Sequence, residues 1–152
     1  MPRLINGNIT FNQQHERPAF LVYDSSNQGS GRFADWEVTV TDTGGCIERV
    51  TPSGSYSRTR FTAPVKGIYH FSYFNIGPNA TSISRMRLYK NGSLFQTGEL
   101  RVPTTSTHGY GEKTNIVQLV AGDYIEFFAE NDANSFGWYQ AQYSGCCGFM
   151  AS

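Results

Sequence analysis

The sequence predicts an all-β fold, a two-sheet jelly roll of about ten antiparallel strands. Three observations carry that prediction. Helical periodicity is absent, and short apolar or alternating runs are instead punctuated by Gly, Pro, Asn and Ser. The composition is β-prone, with 9 Tyr and 11 Phe against only 16% charged residues. The third observation is the stretch Ile68 to Phe74, which is apolar or aromatic on both faces. It sends Tyr69, Phe71 and Tyr73 to one side and Ile68, His70, Ser72 and Phe74 to the other. A half-exposed antiparallel strand would alternate apolar with polar. The second face is therefore expected to be covered, by another layer of this chain or by another copy of it.

The elements follow in order. Leu4-Ile5 and Ile9-Thr10-Phe11 flank Asn6-Gly7-Asn8, an Asn-Gly signal for a small N-terminal hairpin. Pro18 to Tyr23 reads as the first main strand, with proline at its opening edge, where a missing N–H is harmless. Asp24 to Gly31 reads as a polar loop, and Trp36 to Thr41 alternates as a strand. Asp42 to Ser57 reads as a long irregular connection containing Gly44-Gly45 and Pro52-Ser53-Gly54. A strand end at Arg60-Phe61-Thr62, a stop at Pro64 and a turn at Gly67 precede the two-faced strand, and Gly77-Pro78-Asn79 turns after it. Arg85 to Lys90, Asn91-Gly92 and Ser93 to Thr97 form a hairpin with a type I′ candidate turn. Pro103 to Gly111 reads as a loop. Asn115 to Val120 and Tyr124 to Glu130 form a second hairpin about Ala121-Gly122-Asp123, and Tyr139 to Met150 closes the chain.

Bulk properties narrow the function. At 152 residues the chain is expected to form one core domain, over 17–152, after a segment or hairpin over 1–16. Twelve Lys plus Arg balance twelve Asp plus Glu, so no net field recruits nucleic acid or an anionic membrane. No apolar run approaches the ~20 residues of a bilayer span. Met1 to Gly7 lacks an apolar h-region, so synthesis in a cytoplasm without a secretory signal is expected.

Catalytic signals are missing. His15, His70 and His108 are far apart with no metal-ligand spacing, and no nucleophile elbow occurs. Gly29-Ser30-Gly31 lacks the Lys-Ser/Thr and helix of a phosphate loop. Asp123 is expected to close a hairpin turn by bonding its own backbone. Glu126 and Glu130 share a strand face with Phe128, expected to be solvated or inter-subunit rather than a catalytic pair. Cys146 and Cys147, with Cys46 the only other cysteine, read as small residues of a buried terminal strand. His70 reads as a hydrogen-bonded interface histidine without a switching role. No enzyme activity, cofactor or metal site is expected.

Arg17-Pro18-Ala19-Phe20, Phe61 to Phe71, Leu88 to Gly92, Val117 to Ile125 and Gly148-Phe149-Met150 match, in type and order, the complement C1q-like globular domain. This domain is a relative of the tumour necrosis factor jelly roll. The resemblance covers about Arg17 to Ala151 and implies a tight homotrimer with inner-sheet aromatics about the threefold axis. On that basis Ile68, His70, Phe74 and Phe128 are the expected trimer interface. The acidic loop residues that hold calcium in some members find no residue-by-residue match, so no ligand carries over. The head of the chain resembles C1q-like modules of bacteriophage and bacterial proteins, which implies a virion surface role. The expected function is capsid decoration or a tail-fibre tip, with Leu4, Ile5, Ile9 and Phe11 attaching the trimer to capsid or fibre proteins. The alternative is a lectin-like module reading host surface glycans through Tyr110, Trp138 and Tyr139.

Overall fold

Turn chemistry and period-2 burial set the strands of this chain. The computed structural model describes residues 3–5, 8–10, 17–25, 32–78, 83–101, 108–131 and 144–152. Among these the strands are β1 (Arg3–Ile5), β2 (Asn8–Thr10), β3 (Ala19–Tyr23), β4 (Arg32–Phe33), β5 (Val38–Thr43), β6 (Ile47–Val50) and β7 (Arg58–Thr62). They continue as β8 (Gly67–Pro78), β9 (Ile83–Lys90), β10 (Ser93–Arg101), β11 (His108–Leu119), β12 (Tyr124–Asn131) and β13 (Ser144–Met150). β1 and β2 pair antiparallel, with Leu4 opposite Ile9, as the Asn-Gly signal predicts. One sheet runs β11-β8-β13-β3-β5, and the other β10-β9-β12-β7-β6 with β4 added on β12. This is the all-β, two-sheet jelly roll that the sequence predicts.

Several elements differ from expectation; Gly77 and Pro78, expected to turn, instead end β8, paired with Gly109 and His108. The connection after Asp42 is not irregular: β6 lies within it, and Gly44 and Gly45 take φ of 101° and 60° where the chain passes between sheets. Asp42 holds that passage, its carboxylate accepting from the backbone N–H of Cys46 at 2.9 Å and of Ile47 at 3.2 Å. β11 starts at His108 rather than Asn115, because all of its residues find partners along β8. The strand at Trp36 starts two residues later, at Val38, and Trp36 is 2% exposed in the core.

The core forms where aromatics of the two sheets interleave. Phe61 of β7 reaches across, its ring centroid 5.3 Å from Phe20, 5.3 Å from Tyr69 and 5.1 Å from Phe71. Phe127 does the same beside Tyr73 at 4.8 Å and Trp36 at 5.1 Å. The rings run so close over β13 that a Cβ on Gly148 would lie 2.5 Å from the Phe20 ring. Cys146 is fully buried facing this core, whereas Cys147 is half-buried on the opposite face, and both thiols are free. Burial pushes both thiols up, which keeps them protonated and unreactive.

Two hairpin turns lock together at one end of the sandwich. Asn91 and Gly92 take φ of 51° and 76°, the pair of positive values that a type I′ turn needs. Asp123 does close its own turn, accepting from Val120 N–H at 3.0 Å, and it also reaches Asn91 Nδ2 at 2.8 Å and Lys90 Nζ at 3.0 Å. These donors, the backbone N–H first, hold its carboxyl down at about 2. A carboxyl depressed below its unfolded value stabilises the fold above about pH 4, and that stabilisation disappears as pH falls toward about 2. Asp123→Asn is therefore expected to lower the melting temperature at neutral pH, with the gap to wild type closing across that acidic window. Thermal melts followed by circular dichroism measure this; a gap that stays constant down to about pH 2 contradicts the role.

Candidate functional site

The register of the β11-β8-β13-β3-β5 sheet decides which side chains share its outer face. One row brings together Ile116, His70, Phe149 and Ala19. The next holds Thr114, Ser72, Cys147 and Leu21, and the third Glu112, Phe74, Gly145 and Tyr23. Ile68, the second residue of β8, lies on the same side, opposite Gln118. The face is apolar at one end and polar toward the other. Ile116 is 70% exposed, Phe149 48% and Ile68 40%. Ser72 Oγ donates to Glu112 Oε1 at 3.0 Å.

His70 lies in the apolar row, stacked on Phe149 with centroids 4.9 Å apart. Its Nδ1 is buried and forms no hydrogen bond with any described residue. Within the described chain, then, Nδ1 does not make the hydrogen bond expected of this histidine. The strand has no neighbour in its row able to bond it, since both flanking positions, Ile116 and Phe149, are apolar.

On the outer face of the other sheet the middle strands are covered by the chain's own arginines, while Leu94 on edge strand β10 stays exposed. Phe33, Tyr89 and Phe128 form an aromatic trio, with Phe33 and Phe128 5.1 Å apart and Phe33 and Tyr89 also 5.1 Å apart. Guanidinium groups cover the rings: Arg58 lies 4.4 Å from Phe33, Arg60 lies 4.0 Å from Tyr124 and Arg87 lies 5.9 Å from Phe128. Beneath them Glu126, 2% exposed, accepts from Arg60 Nε at 3.0 Å and Nη2 at 2.8 Å, and from Arg58 Nη1 at 3.4 Å. Glu126 is thus neither solvated nor left open to a partner, because Arg60 stands opposite it on β7 and folds over it.

The structure places the expected site residues unevenly. Ile68, His70 and Phe74 share one face, as expected. Phe128 does not join them: β12 belongs to the other sheet, where Phe33 and Tyr89 pack against it. Tyr110 lies in strand β11 opposite Ile76 rather than in a loop. Trp138, Tyr139 and Phe11 lie outside the described residues, while Leu4, Ile5 and Ile9 are on the β1–β2 hairpin. Ile116 and Phe149, the most exposed members of the face, were not singled out. The alternation Ile116-Val117-Gln118-Leu119 was their signal, since Val117 and Leu119 are buried and force Ile116 outward. Among the described residues no three His, Cys, Asp or Glu side chains gather as a metal set.

No protein-family model and no curated protein matches this chain. Solved structures do. The globular domain of zebrafish complement 1qA superposes with a TM-score of 0.63 at 17% identity, over 90% of this chain and 98% of that one. Murine APRIL, solved at pH 5.0, superposes with a TM-score of 0.62 at 12% identity, over 88% of this chain and 97% of that one. At these identities the likeness establishes the fold alone, a C1q/TNF-like jelly roll.

Proposed function

We propose that this chain is a non-enzymatic structural protein of a bacteriophage surface, a homotrimeric C1q-like knob that decorates the capsid or tips a tail fibre. The observation that carries the reading is the asymmetry between the two outer faces. One sheet covers the aromatics of its middle strands with its own arginines and, among the described residues, keeps exposed apolar side chains only on its edge strand β10, at Leu94 and Phe95. The other leaves Ile116, Phe149 and Ile68 in water across neighbouring strands beside Phe74 and Leu21. Covering one such side chain is worth about 1.5–3 kcal/mol, so a patch of three to five rewards a second and third copy packed on it. The sequence resemblance to C1q-like domains implies the same assembly, and its phage-like head supports the virion setting. Residues 17–152 would form the knob, and 1–16, with Leu4, Ile5, Ile9 and Phe11, would attach it.

Light scattering tests the assembly, with three protomer masses expected and a monomer overturning it. Removing residues 1–14 is expected to leave the trimer intact and abolish its binding to capsids or fibres. A truncated trimer that still docks removes the attachment role. Specific binding on a glycan array without capsid binding would favour a lectin instead.

A further inference from the structure

His70 sits where the proposed interface would be driest, and among the described residues nothing bonds its buried Nδ1. We propose that the assembly is pH-responsive, with the trimer stable while His70 is neutral and weakened when it is protonated. This rests on the trimeric reading above. The titratable groups at positions of the same face are Glu112 of β11, with Tyr110 and His108 farther along that strand, Tyr23 of β3 and Cys147 of β13; β5 faces it with Thr41 and Thr43. Glu112 stands two rows away and is engaged with Ser72. No carboxylate among the described residues pairs with the imidazole. Lys66 and Arg17 lie just outside the sheet, and Arg17 donates to the Ala151 carbonyl at 2.9 Å.

Packing a second copy over Ile116, His70 and Phe149 removes water from the imidazole. A neutral ring stacked on Phe149 tolerates that, whereas an imidazolium without a counter-charge does not. Protonation and assembly therefore compete. The assembled form binds the proton more weakly than the free chain, so the stabilisation is complete above the ordinary imidazole range and is lost as pH falls through it. An imidazole that must be neutral in an assembly but is free to protonate outside it weakens that assembly about tenfold per protomer for each pH unit below the range in which it protonates. Over three protomers the trimer formation constant falls on the order of 10³-fold between about pH 7.5 and pH 5.5.

Sedimentation equilibrium of the wild type, His70→Gln and His70→Phe at these two pH values tests the proposal. The wild type is expected to lose affinity by that factor, and the variants to change by less than about tenfold. His70→Phe keeps an aromatic stack on Phe149 and serves if the glutamine variant folds poorly. A wild-type trimer indifferent to pH overturns the proposal. So does one that tightens on acidification, which would place a neighbour's carboxylate on the ring. Variants that keep the full wild-type response assign it to another group and also overturn it. A monomer at both pH values instead overturns the trimeric reading on which it rests.

Discussion

Ile116→Glu is expected to convert the proposed trimer into a folded monomer. In the isolated chain Ile116 is 70% exposed, so a carboxylate there meets water and costs the fold little, within about 0.5 kcal/mol. β11 is also an edge strand of its sheet, a position where charged side chains are well tolerated. In the trimer the same carboxylate would be buried against Phe149 and His70 of its own face and the apolar surface of a neighbour. An uncompensated buried charge costs several kcal/mol, and each of three copies would carry one. Light scattering is expected to report one protomer mass, with circular dichroism and melting temperature close to those of the dissociated wild type. Phe95→Glu is the matching control. Phe95 is 49% exposed on β10, an edge of the opposite sheet, so its replacement should leave the trimer mass unchanged. If Ile116→Glu stays trimeric and Phe95→Glu does not, the interface belongs to the other sheet.

The contrast between those two positions also shows what a linear reading can reach. Alternation along a strand is local, and it placed Tyr69, Phe71 and Tyr73 together in the core, where all three are fully buried. The same rule put Ile68, His70 and Phe74 on the other face. The Asn91-Gly92 turn was legible because only a few residues adopt two successive positive φ values at low cost. Phe128 was misplaced for a reason that alternation cannot address. Its side of β12 is readable, but the sheet that β12 joins is set by pairing with β9 and β7, far away in sequence. The four residues of β6 escaped because Glu48 and Arg49 interrupt any apolar signal at a sheet edge. Glu126 looked solvated for a similar reason. Its burial comes from Arg58 and Arg60, whose positions opposite it depend on the β7–β12 register.

That burial makes Glu126 a charged residue whose loss should harm the fold strongly. Glu126→Ala is expected to destabilise the chain by about 3 kcal/mol, the lower end of the range for breaking a buried ion pair. The lower end applies because the arginines keep some water, with side chains 16% exposed for Arg58 and 24% for Arg60. They also keep the rings of Phe33 and Tyr124 beneath them. For a chain of this size the melting temperature should fall by roughly 6–12 °C. Glu126→Gln preserves the shape and one acceptor, so it should lose about half as much. The decisive comparison is the cycle of Glu126→Ala, Arg60→Ala and the double variant, read by urea denaturation. Because the two-donor contact of Arg60 on Oε1, at 3.0 and 2.8 Å, is lost only once, the double variant should be less destabilised than the sum by about 1–3 kcal/mol. Additive losses would mean that Glu126 contributes through packing alone. Throughout the series the oligomeric mass at neutral pH should follow the wild type until the chain unfolds, because Glu126 and Ile116 lie on opposite outer faces of the sandwich.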